Sequence, residues 1–256
     1  KVGIFCPGQN GDIITVMSVL AYWDVIFAGK EIIWFCNTPN CDALMYARIS
    51  EVRPYPWAGN GLPEGTPDFY PLLCDSNNRL NKELAKNYEL TADLDDGYFP
   101  TPWMMPADRR HGINYPNVSK KVFGILDEVE WHPVLNFSEQ ERDQADKFIG
   151  SLGNPIVIVE TFAGSGQSKL THEMVVETMR RCESAWGECT FIFVSHKYLN
   201  GQDEFPEIFF RDNVKFAKEF TVRQCGLLAN YCNLFISVSS GVSVASSCWG
   251  NGQFPM

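Results

Sequence analysis

The sequence predicts an α/β protein made of two open units, each a parallel sheet with helices on both faces. Three observations predict it. Short, nearly all-apolar runs (VGIFCP at 2–7, EIIWFCN at 31–37, PIVIVETF at 155–162, LFISVS at 234–239) read as strands buried on both faces. Between them lie stretches with apolar residues at helical spacing, such as Ile13, Val16, Met17, Leu20 and Trp23, and this alternation is the mark of parallel sheets. The alternation also breaks off once and restarts, which divides the chain in two.

In the first unit, strand 2–7 leads through a glycine loop into a helix predicted over 12–29. Residues 31–37 form a second strand, 42–47 a short helix and 51–57 a third strand interrupted by prolines. From 58 to 133 the pattern loosens around one helical stretch, 78–90. A long irregular segment rich in aromatics points to binding. Trp57, Phe69, Tyr70, Tyr88, Tyr98, Phe99 and Trp103 would either stack on a sugar or fill the core. Ser138 followed by Glu141, strong helix formers, then Gly153 and Pro155 describe a capped linker helix. The domain boundary is placed after it, giving 1–150 and 151–256.

The second unit reads as strand 155–162, a small-residue loop, helix 172–186, strand 190–195, a weak strand at 214–217, helix 222–231, strand 234–239 and a helix start at 242–249. Another strand is expected after Met256, so this domain is expected to be incomplete. Two such units resemble paired Rossmann-like domains facing a cleft.

Composition narrows the function. With 45% hydrophobic and 13% aromatic residues the chain buries enough apolar surface to fold, which excludes a disordered protein. A net charge of −10 argues against a nucleic-acid or anionic-membrane binder. It leaves room for a small anion held by helix N-termini and one or two cations. Nine scattered cysteines without a CxxC pair suggest reduced thiols, mostly core filler, in a cytoplasmic protein. Four histidines without HExxH spacing give no support for a metal site. No apolar run is long enough to span a membrane and no signal segment precedes the first strand, so a soluble protein is expected.

Three loops carry candidate chemistry. In the first, Gly8 and Gly11 let the backbone approach a ligand, and Asp12 places a carboxylate at the top of the sheet; Asp12 is equally suited to an ordinary helix N-cap. The spacing is not GxGxxG, so a dinucleotide site has little support. In the second, Thr161, Ser165, Ser168 and Lys169 combine hydroxyls, exposed backbone N–H groups and a cation, a set suited to a diphosphate. The register is not that of a P-loop. In the third, Ser239, Ser240 and Gly241 stand where a strand meets a helix start. A competing motif, Asp93-Leu94-Asp95, has the DxD form of metal-dependent sugar transferases, but it follows a charged helical stretch and reads as a solvated acidic turn.

Taken in order, Gly11-Asp12-Ile13-Ile14-Thr15, the 138–152 helix, the 161–169 loop and the run from Phe220 to Tyr231 leading to Val238-Ser239-Ser240-Gly241 resemble the heptosyltransferase-like glycosyltransferase family 9. The resemblance implies a GT-B fold, with the acceptor on the N-terminal domain and a nucleotide sugar mainly on the C-terminal one. It also implies inversion at the anomeric carbon without a metal or other cofactor. Asp12 would then be the general base toward a glycan or lipid-linked saccharide acceptor. Thr161 and Lys169 would bind the diphosphate, with Gly8, Gly11, Ser165, Ser239, Ser240 and Gly241 around the substrates. The family's Asp-x-Gly and its following His are replaced here by Ser239-Ser240-Gly241 and Val244, so the identity of the donor does not carry over. A nucleotide-dependent oxidoreductase and a non-catalytic nucleotide-sugar or glycan-binding module are the rival readings.

Overall fold

The computed structural model describes residues 1–6, 10–36, 42–54, 93–96, 98–101, 115–130, 132–163, 169–194 and 211–248. The chain forms two compact units, Lys1–Asn136 and Phe137–Met256.

In the first unit β1 (Val2–Phe5), β2 (Ile32–Cys36), β3 (Glu51–Pro54) and β4 (Tyr98–Pro100) form an all-parallel sheet of order β3-β2-β1-β4. Every residue of β1 and β2 is buried, as their unbroken apolar runs require, and Phe5 stacks on Phe35 with ring centroids 4.3 Å apart. The helix predicted over 12–29 is instead α1 (Asn10–Met17), a 3-10 turn (Ser18–Tyr22) and α2 (Trp23–Ile26). Ile13, Ile14, Val16, Met17, Ser18 and Val19 are all buried, more than one face of a straight helix covers, and the change of winding at Ser18 turns Val19 inward. The helix predicted over 42–47 shrinks to a 3-10 turn over 42–44, ended by Tyr46 at a left-handed φ of 59°.

β4 and α3 (Tyr115–Phe123) arise inside the stretch whose pattern was too loose to assign. A three-residue strand ending in proline has no readable period. Phe99 packs against Phe27 and Phe123 at 5.6 and 4.9 Å, so this aromatic belongs to the core. Trp57, Phe69, Tyr70, Tyr88, Trp103, the Tyr98 side chain and the helix predicted over 78–90 lie outside the described residues. The acidic turn is held by cations: Asp93 accepts from Arg53 at 2.9 Å through both oxygens and from Lys1 at 3.2 Å.

The second unit runs α4 (Glu139–Gly150), β5 (Ile156–Val159), α5 (His172–Trp186), β6 (Thr190–Phe193), β7 (Val214–Phe216), α6 (Val222–Leu228) with a 3-10 extension (Ala229–Tyr231), β8 (Leu234–Ile236) and α7 (Gly241–Ser246). Its sheet is again all parallel, in the order β7-β6-β5-β8. Successive residues feed opposite faces. Ile156, Ile158, Ile192 and Val194 pack with Ala145 of α4 and with Cys225, Leu227 and Leu228 of α6; Val157, Val159, Phe191 and Phe193 pack with Val175, Met179 and Cys182 of α5. The Ser138–Glu141 capping box forms as its sequence requires. The helix that it starts belongs to the second unit, whereas the sequence boundary at 150/151 placed it in the first. The reason is Glu141, which pairs with the fully buried Arg223 of α6. All seven described cysteines are buried thiols, as core filler should be.

Candidate functional site

Both sheets share one connectivity. The first strand of each unit sits in the middle, its second strand on one side and its fourth on the other. The chain order reverses there, and in open parallel sheets ligands bind off the C-terminal strand ends at such a switch point. In the first unit the reversal lies between β1 and β4. Thr101, just past β4, donates from both its backbone N–H (3.1 Å) and its hydroxyl (2.7 Å) to Phe5 C=O, clamping the two ends together. α1, which follows β1, carries Gly11 and Asp12, both half-buried. Ile13 and Ile14 are wholly buried, and the Thr15 hydroxyl donates back to Gly11 C=O at 2.8 Å. Asp12 is the ionisable group of the Gly11–Thr15 motif and stands inside the first turn of α1, which begins at Asn10, rather than at an N-cap; the macrodipole favours a carboxylate there. Asn10 Oδ1, two residues earlier, is buried without a hydrogen-bond partner among the described residues. Gly8 lies outside the described residues.

In the second unit the reversal falls between β5 and β8, paired through Val159 and Ile236. Glu160 and Thr161 follow β5 directly and are both 3% exposed. The loop after them is closed at its base: Phe162 bridges antiparallel to Lys169, and Leu170 N–H donates to Thr161 C=O at 2.8 Å. This puts Thr161 and the exposed Lys169 at one end of the sheet; Ser165 lies outside the described residues. β8 delivers Ser239, exposed, and Ser240, which caps α7 ahead of Gly241. The Ser240 hydroxyl accepts from Ser243 N–H at 3.1 Å, while the Ser243 hydroxyl accepts from Ser240 N–H at 3.0 Å.

Sequence reasoning passed over Glu160. Its carboxylate accepts the Ser240 hydroxyl proton across 80 residues of sequence. Burial pushes this carboxyl up to about 7, and the bond from Ser240 partly restrains the rise. The available signal was a single carboxylate ending an otherwise apolar strand, PIVIVET.

α7 is held in place from behind. A Cβ on Gly226 would stand 2.8 Å from the backbone carbon and oxygen of Ala245, so α6 and α7 meet at backbone distance. The run from Phe220 to Tyr231 thus supports the site rather than lining it: Thr221 and Gln224 cap α6, and Arg223 anchors it to α4.

The sequence matches no family model, and no curated protein matches it. Solved structures do. An Escherichia coli ADP-heptose lipopolysaccharide heptosyltransferase II is similar with a TM-score of 0.61 and 14% identity, over 96% of this chain and 82% of the other. A family 9 glycosyl transferase from Veillonella parvula gives 0.63 and 14%, over 98% and 78%. The E. coli heptosyltransferase WaaC with ADP gives 0.51 and 11%, over 96% and 84%. These likenesses establish the fold: the chain shares the α/β architecture of these glycosyltransferase structures, with the parallel sheets that its sequence predicted.

Proposed function

We propose that the protein is a cytoplasmic, inverting and metal-independent glycosyltransferase that needs no cofactor beyond its nucleotide-sugar donor. It moves the sugar to a hydroxyl of a glycan or lipid-linked saccharide. One observation carries the reading: residues 70 to 80 positions apart, Thr161 with Lys169 and Ser239 to Gly241, arrive at adjoining ends of β5 and β8, where such sheets take their ligands. The heptosyltransferase fold supports it.

In this mechanism Asp12 takes the proton from the acceptor hydroxyl as its oxygen attacks the anomeric carbon, inverting that centre as the nucleoside diphosphate departs. A placed carboxylate base is worth roughly 10²- to 10⁴-fold. Thr161, Ser165 and Lys169 offset the charge that builds on the departing diphosphate, while Ser239 and Gly241 hold the donor from the β8 side. Gly8 and Gly11 let the acceptor approach the first sheet.

The test is thermal unfolding with ADP, GDP, UDP, dTDP, CMP and NAD, each with and without EDTA. A ligand at about 100 times its Kd adds roughly 2.7 kcal/mol. Stabilisation by one diphosphate that survives EDTA is expected and names the donor; stabilisation by NAD alone would replace this reading with an oxidoreductase. With the donor known, Asp12→Asn should lower transfer by about 10²- to 10⁴-fold with the melting temperature unchanged. Full activity in that variant would exclude Asp12 as the base.

A further inference from the structure

We propose that Glu160 is a positioning residue of the donor site, which must be neutral for the nucleotide sugar to be held and which acts through the Ser240 hydroxyl. The inference rests on the donor-site reading above and adds a proton to it.

The geometry is explicit about where the Ser240 proton goes. A serine hydroxyl has one proton to give and two lone pairs to accept with. One lone pair takes the Ser243 N–H at 3.1 Å, closing the cap of α7, and the proton is donated to Glu160 Oε2. With Glu160 ionised, Ser240 has nothing left to donate to a ligand oxygen, and a buried negative charge sits beside the place meant for an anion. When Glu160 takes up a proton from solvent, its own O–H donates to the second Ser240 lone pair. The Ser240 proton is then free for a phosphate oxygen, and the opposing charge is gone. In this step an O–H bond of a solvent hydronium breaks as the carboxyl O–H bond forms, and nothing is oxidised or reduced.

The surroundings decide which form is accessible. Among the described residues, the elements beside Glu160 supply Ile236 of β8, whose carbonyl accepts the Glu160 N–H at 2.8 Å, and Val194 after β6, bonded to Val159. They also supply Ser240 and Ser243 at the head of α7, and Thr161 and Lys169 of the loop. Lys169 is the one charged group in this set, and it is exposed. Burial outweighs Ser240, so the carboxyl changes state near neutral pH.

The experiment is calorimetric binding of ADP-glucose, UDP-glucose, GDP-mannose and dTDP-glucose between pH 6 and pH 8. Their diphosphate diesters keep a constant charge over this range. For the wild type, affinity for the nucleotide sugar that binds should fall about tenfold over this span, as linkage to one group near 7 requires. At pH 8, binding should take up about one proton, read from the dependence of the heat on buffer ionisation enthalpy. In Glu160→Gln the amide N–H donates to Ser240 as the neutral acid does, so binding should match the wild type at pH 6 and stay flat to pH 8. A Gln variant that keeps the tenfold fall, or a wild type that takes up no proton, overturns the role of Glu160 while leaving the donor site intact. A wild type that binds none of the four sugars at pH 6 overturns the donor-site reading and this inference with it.

Discussion

Glu160 opposes folding whenever it is ionised. Its carboxyl in the folded chain titrates near 7, above the ordinary 4.5, because burial disfavours the charge. A raised value means that the group's contribution to stability is complete below the unfolded value and is lost as the pH climbs through 7. From pH 5 to pH 8 the wild type should therefore lose about 2 to 3 kcal/mol that Glu160→Gln does not lose, read from urea unfolding of both proteins at the two pH values. Ser240→Ala removes both the α7 cap and the donor to Glu160, and should cost about 0.5 to 2 kcal/mol. At this scale legibility followed locality. Asp12 and Lys169 announce themselves inside contiguous motifs, and Ser240 by its place at a helix start. Glu160 acquires its meaning from a hydroxyl 80 residues away.

Helix ends were the most readable elements because their determinants are local. Ser138 with Glu141 and Thr221 with Gln224 close the reciprocal bonds that start α4 and α6, and α5 spans the residues predicted for it. What joins the helices was not readable. Arg223 is fully buried, donates to Glu141 through both terminal nitrogens and lies 5.2 Å from the Phe137 ring centroid. Glu141→Gln keeps a competent cap but takes the carboxylate charge away from the buried guanidinium, so unfolding free energy should drop by about 3 to 5 kcal/mol, measurable by denaturant titration. Gly226→Ala brings a methyl against backbone that has no rotamer to yield. It should cost about 1 to 3 kcal/mol and weaken nucleotide-sugar binding, because α7 carries Ser240.

Each unit has its own parallel sheet, and in the second both faces are covered from within the unit. A fragment of residues 137–256 should therefore fold more cooperatively than one of 151–256. The shorter piece lacks α4 and leaves Arg223 buried without Glu141. Comparing the two by near-ultraviolet circular dichroism and thermal melting checks this, and equal melting would move the boundary back to the end of the 138–152 helix.

By itself the sequence determined the α/β class, seven of the eight strands among the described residues, the main helices of the second unit and the loops that carry Asp12, Thr161 and Lys169. Those features follow from hydrophobic period, caps and turn residues, whose physics acts within a few positions. Tertiary structure decided the strand order, the allegiance of α4 to the second unit, the short strand β4, and the meeting of Glu160 with Ser240. Each of these depends on a partner tens of residues away, and the free energy of such a contact appears only once the sheet has brought the two ends together.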